Sequence, residues 1–185
     1  MTEYGGTTVT DLLRQQHERA KAMFGEVDAA TGSTRVQAFD CLRAFLAAHE
    51  TAEEEVVHPA AKATGDEGKR VVEQRLAEEH EAKKMLSELE KIGPEGAGFD
   101  ERWNRFKVAV LAHAEAEEHQ LFPILEREKD QKNLQWMTDA LVTAEKLAPT
   151  HAHPHAPESA IGNMLTGPFV AIADRVRDAI RGKAA

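Results

Sequence analysis

Apolar positions recur along this chain at spacings of three and four, the period of a helix with one buried stripe. Four stretches carry the pattern. The first runs Val9, Leu13, His17, Ala20, Phe24, Val27, and the second Phe39, Leu42, Leu46, His49, Glu53, Val56. The third reads Val72, Leu76, His80, and the fourth Trp103, Phe106, Val110, His113, Glu117, Leu121, Ile124. Gly, Pro and Ser interrupt it at Thr31-Gly32-Ser33, at Thr64-Gly65-Asp66 and between Gly93 and Gly98. Helices are therefore predicted near 8–30, 34–62, 66–92 and 100–129. Their start signals are Thr8 or Thr10, Thr34 with Gln37 three residues on, Asp66, and Asp100. Four inward stripes joined by short loops make an all-α fold, an antiparallel up-down four-helix bundle.

Every stripe turns from apolar to histidine or glutamate partway along. In a helix, residues i and i+4 lie about 40° apart and one turn along, so His49 with Glu53, and His113 with Glu117, point into one cavity. The arrangement also repeats. LRQQHERAK from Leu13 matches LAEEHEAKK from Leu76, and HETAEEEVVHP from His49 matches HAEAEEHQLFP from His113, at offsets of 63 and 64 residues. A duplicated helical hairpin places equivalent residues about a pseudo-twofold axis, which suits two metal ions that share bridging ligands. Imidazole and carboxylate donors converging on mid-bundle suit iron, manganese or zinc. Six buried polar groups without a cation would be costly.

Composition narrows the chemistry. The 185 residues suffice for one sizeable core, and a net charge of −9 argues against a nucleic-acid partner. No apolar run reaches the roughly 18 residues a membrane span needs, and the N-terminus lacks the features of a signal peptide. The expectation is a cytoplasmic protein without a membrane partner. Cys41 is the sole cysteine, which excludes a CxxC motif and reads as a small buried hydrophobe.

The six positions His17, His49 with Glu53, His80, and His113 with Glu117 form the pattern H…HxxxE…H…HxxxE. Over residues 8–128 the chain thereby resembles the hemerythrin-like HHE cation-binding family. The resemblance implies a cofactor of two non-haem iron ions, oxo- or hydroxo-bridged, with Glu53 and Glu117 as bridging carboxylates. It assigns His17 and His49 to one iron and His80 and His113 to the other. Oxygen-carrying hemerythrins have HxxxH on the third helix, whereas Leu76 and Lys84 flank His80 here at four residues. One iron thus lacks a protein ligand, and water, an exogenous ligand or another side chain completes its shell. Ferritin-like di-iron bundles are the alternative by chemistry, but their ExxH motifs fit neither HxxxE segment.

Other candidates are set aside. At about 100° per residue, His58 and His119 rotate off the inward seam. Glu54 and Glu118 read as solvated groups or as hydrogen-bond partners of the imidazoles. Pro59 and Pro123 predict a kink or helix end just beyond the metal segments. Lys21 and Lys84 are expected to extend out of the bundle. Tyr4 could fold back towards the open iron.

Residues 1–129 form the expected bundle domain, and 130–185 a C-terminal extension that packs on the bundle or on a partner chain. In that extension QKNLQWMTDALVTAEKL predicts a short helix, PTHAHPHAPES a Pro/His-rich linker carrying His151, His153 and His155, and GPFVAIADRVRDAIRG a closing amphipathic helix. The functional expectation is binding and enzyme-like turnover of small ligands, namely oxygen, nitric oxide or peroxide, in defence against oxidative or nitrosative stress. The alternative is a non-catalytic module that binds or senses oxygen or iron.

Overall fold

The structure, a computed structural model, describes residues 6–148. Tyr4, the three histidines of the Pro/His-rich linker and the expected closing helix lie outside these residues. Helix α1 spans Val9–Ala29, α2 Gly32–Ala52, α3 His58–Lys62, α4 Asp66–Ile92, α5 Phe99–Ala116, α6 Phe122–Glu128 and α7 Gln131–Leu147. Two π-helical turns, Glu53–Val57 and Glu117–Leu121, join α2 to α3 and α5 to α6 without a break. The long rods α1, α2–α3, α4 and α5–α6 therefore make the antiparallel four-helix bundle, and α7 packs across α1 and α2. No helix among the described residues is long and apolar enough to cross a membrane.

Local chemistry explains the boundaries. Thr8 caps α1 by accepting from the Asp11 amide at 3.2 Å, and Asp130 caps α7 by accepting from the Asn133 amide at 2.8 Å. Gly93 ends α4 with φ of 71°, a left-handed conformation open to glycine, while its amide donates to the Leu89 carbonyl. A methyl group on Gly68 would meet the Ala61 carbonyl oxygen at 2.0 Å, so glycine lets α4 approach α3 closely.

The π turns have a common cause. Pro59 and Pro123 carry no N–H, and each ring would clash with the carbonyl four residues earlier, at Glu55 and His119. Both carbonyls fall inside π turns, whose wider i to i+5 closure relieves that clash. Helical structure thus continues through both prolines, with one extra residue taken up in each π turn, and ends soon after, at Lys62 and Glu128.

Two apolar clusters hold the rods together. One gathers Leu13, Val56, Val72, Leu121 and Phe122 with Leu134, Met137 and Leu141 of α7. The other gathers Phe24, Phe39, Phe99, Trp103 and Phe106 at the far end. Phe24 and Trp103 rings lie 5.1 Å apart and Phe39 meets Phe99 edge-on at 5.4 Å. Cys41, one residue off the Phe39–Leu42–Leu46 stripe, is exposed rather than buried.

Trp103 is 1% exposed, and its indole N–H donates to Asp28 Oδ1 at 2.6 Å. Lys107 donates to Asp28 Oδ2 at 2.7 Å. Partial burial pushes the Asp28 carboxyl up, but the Lys107 and Trp103 hydrogen bonds outweigh it and hold its pKa below the ordinary value. A lowered folded pKa contributes stability that is present above the ordinary carboxylate pKa and lost as pH falls through the folded value. Asp28→Ala, which leaves the indole N–H unpaired, is expected to cost about 1–3 kcal/mol at neutral pH. Denaturant titrations should show that difference shrinking in acid, and an equal cost at all pH values would refute the charge assignment.

Candidate metal centre

Between the two apolar clusters lies a layer of buried imidazoles and carboxylates. Each rod contributes at the height where its stripe changes character: His17 after Leu13, His49 and Glu53 after Leu46, Glu79 after Val72, His113 and Glu117 after Val110. His17, His49, Glu53 and Glu117 form one group, with potential ligand atoms all within 4.8 Å of one another. Glu50, Glu79 and His113 form a second group to the same limit. Glu117 lies against both: its Oε2 is 3.4 Å from His17 Nε2 and 3.6 Å from His113 Nε2. His49 Nε2 lies 3.6 Å from Glu53 Oε2.

Three imidazoles are anchored by their outer nitrogen and aim the inner one at the layer. His17 Nδ1 pairs with Glu118 Oε1 at 2.8 Å, His49 Nδ1 donates to Gln16 Oε1 at 2.8 Å, and His113 Nδ1 pairs with Glu78 Oε2 at 3.0 Å. Gln16 is itself held, donating from Nε2 to Glu145 Oε1 of α7 at 2.6 Å. Arg75 donates to Glu78 at 2.6 Å. Phe122 stacks on His17 with centroids 5.7 Å apart, and Phe45 stacks on His49 at 5.9 Å. Such outer partners fix ring orientation in metal sites.

His80 is half-buried and belongs to neither group. The buried positions of α4 are Gly68, Val71, Val72, Arg75, Glu79, Leu86 and Leu89, and from Val72 the seam runs three residues to Arg75 and four to Glu79. Counting Val72, Leu76, His80 in successive fours drifts by about 40° per step and leaves the seam. Glu79 takes the inward place. His58 also departs from the sequence expectation, being 2% exposed rather than turned away. Its amide donates to the Glu53 carbonyl five residues back, so the π turn sets His58 directly one turn beyond Glu53. The pairing of His58 with Pro59 was the available signal. His119 is exposed and donates from Nδ1 to the Glu115 carbonyl at 2.7 Å. Lys84 is exposed and pairs with Glu81, in keeping with its expected outward course.

The electrostatics describe a pocket made for positive charge. Burial, then repulsion from Glu117, Glu50 and Glu79, drives the Glu53 carboxyl well above its ordinary pKa. Burial and the Glu50 charge do the same to Glu79. Burial would also raise Glu117, yet the His113 charge and the His17 and His58 contacts hold it well below. Burial opposes charge on His113, but Glu117 and Glu78 raise it to about 9. His49 is lowered to about 3 by burial and by the neighbouring His17, which leaves it neutral with a free Nε2 lone pair.

The donor set fits a metal. His17 Nε2, His113 Nε2, both nitrogens of His58 and both oxygens of Glu53, Glu79 and Glu117 are buried without a hydrogen-bond partner. Each such group costs about 1–3 kcal/mol when left unsatisfied. A cation answers imidazole lone pairs and carboxylates together, and mixed nitrogen and oxygen donors suit iron.

Comparison with known proteins agrees with this geometry. The model of the hemerythrin HHE cation binding domain matches residues 8–125. A hemerythrin-like protein of Schizosaccharomyces pombe is 25% identical over 180 residues, 96% of this chain and 89% of that protein. A DNA nickase of Nostoc sp. is 26% identical over 141 residues, 75% of this chain but 40% of the nickase. In fold, the crystal structure of a hemerythrin HHE cation binding domain-containing protein from Mycobacterium kansasii matches with a TM-score of 0.69 at 20% identity, covering 92% of this chain and 99% of that one. The chain belongs to the hemerythrin HHE cation-binding domain family.

Proposed function

We propose that the protein is a hemerythrin-like di-iron protein that binds and turns over peroxide, nitric oxide or oxygen in oxidative or nitrosative stress defence. The observation that carries this reading is the layer of inward imidazoles and carboxylates without partners, set between two apolar clusters. Two groups of donors with Glu117 between them ask for two cations rather than one. His17, His49, Glu53, His113 and Glu117 are the donors on which this proposal rests. When bound, iron supplies the ligand-binding and redox chemistry that these side chains lack.

The chain's own residues define what reaches the layer. Phe45 and Phe122 stack on two of the imidazoles, and close-packed clusters lie above and below. This packing favours ligands of a few atoms and excludes bulk water. Gln16, Glu78 and Glu118 hold the imidazoles in place. A second reading, a module that binds or senses oxygen or iron, is favoured by one observation. The Glu145–Gln16–His49 chain ties the layer to α7, which lies beyond the matched family segment.

Metal analysis and thermal melts test the donors: His49→Ala or His113→Ala should strip iron and lower the melting temperature, because metal binds the folded state preferentially. His119→Ala should leave both unchanged. Gln16→Leu keeps His49 but removes its anchor, and chelator competition should show iron held about 10–100-fold less tightly. An unchanged affinity would deny Gln16 any positioning role. For turnover, the iron-loaded protein is expected to consume added peroxide or nitric oxide in stopped-flow assays. Reversible oxygen uptake with neither reagent consumed would leave only the binding or sensing reading.

A further inference from the structure

Building on the di-iron reading, we infer that the second metal position is completed by His58 and Glu79, working with His113 and Glu117, and that His80 is not a ligand. His58 is 2% exposed and neither ring nitrogen has a hydrogen-bond partner. Its Nε2 lies 3.4 Å from Glu79 Oε1 and 4.0 Å from Glu117 Oε1. Glu79 is 1% exposed with both oxygens equally unpartnered. A buried imidazole and a buried carboxylate that face each other beyond good hydrogen-bond distance leave room for an ion between them.

The internal repeat sets the two positions side by side. His58 is equivalent to Phe122 in the second hairpin, each followed by proline and each set by a π turn one turn beyond the HxxxE glutamate. In the first group Phe122 stacks on His17. In the second group His58 faces Glu79 instead. The two hairpins have therefore exchanged a pair: imidazole from the single rod with an aromatic wall on one side, carboxylate from the single rod with an imidazole on the other.

Each position then has two imidazoles, His17 and His49 for the first, His58 and His113 for the second. The second has the additional charge of Glu79, with Lys83 3.7 Å from its Oε2. Lys83 also pairs with Glu54. A harder, more anionic oxygen environment distinguishes the two positions chemically and favours the more highly charged ion at the second.

The full chain, purified aerobically from cells grown with iron-57, tests this by iron analysis and Mössbauer spectroscopy. Wild type should hold about two ions per chain in two distinguishable environments, and His58→Phe or the isosteric Glu79→Gln should hold about one. His80→Ala should keep both. Far-ultraviolet circular dichroism checks that each variant is folded, and His58→Phe keeps a planar ring at the position by adopting the residue of its repeat equivalent. Loss of one ion in His80→Ala, with His58→Phe and Glu79→Gln fully loaded, would overturn the inference and leave the di-iron reading standing. A wild-type chain that holds at most one ion would overturn that reading, and this inference with it.

Discussion

Two fully buried carboxylates, Glu53 and Glu117, sit in the middle of the bundle with no hydrogen bond to any of their four oxygens. A carboxylate in that position is tolerable only if it is protonated, paired with imidazolium or bound to a cation. Burial and the neighbouring carboxylates push Glu53 well above its ordinary pKa, whereas the imidazoles of His113 and His17 hold Glu117 well below. The rest of the molecule is arranged around this layer. The apolar stripes divide into two clusters because the layer interrupts them, and the imidazoles point inward because outer partners hold their Nδ1 atoms.

A second constraint comes from two prolines. An α-helical rod would carry His58 and Phe122 away from the seam, yet the proline ring after each makes an ordinary turn unfavourable just before it. The extra residue absorbed by each π turn brings both side chains back over the glutamates. A backbone irregularity that costs regular hydrogen bonding thus determines which side chains meet the layer. Both hairpins of the internal repeat carry the same device, with imidazole in one and phenyl in the other.

Three of the four stripes were legible in the sequence: α1, α2 and α5 bury the residues their period indicates, including His17, His49, Glu53, His113 and Glu117. The third is out of phase because Glu78, Glu79, His80 and Glu81 are consecutive, so position alone has to choose among them. His58 escaped because a constant 100° per residue was assumed through a segment ending in proline. Of the anchors, Glu118 is offered by the sequence as one partner of an imidazole, but which imidazole it meets, and the roles of Gln16, Glu78 and Glu145, are not legible. Glu118 reaches His17 from 101 residues away and Glu145 reaches Gln16 from 129, and no local period encodes such pairs.

The anchors differ in where they lead. Those of His17 and His113 end on Glu118 and Glu78, within the rods of the bundle. That of His49 passes through Gln16 to Glu145 on α7, a helix whose Leu134, Met137 and Leu141 are buried in the same cluster as Val56 and Leu121. Glu145 is partly buried and its carboxyl is raised by burial, with the Gln16 hydrogen bond working against that rise. A shift of the His49 ring therefore disturbs a half-buried polar contact on α7 as well as the layer itself. Helix α7 packs against α1, α2, α6 and the Glu53–Val57 turn itself, so the contact belongs to the same packed end of the bundle as the Glu53 segment. The same contact that orients a metal-facing imidazole thus gives the bundle a physical route from its centre to its accessory helix.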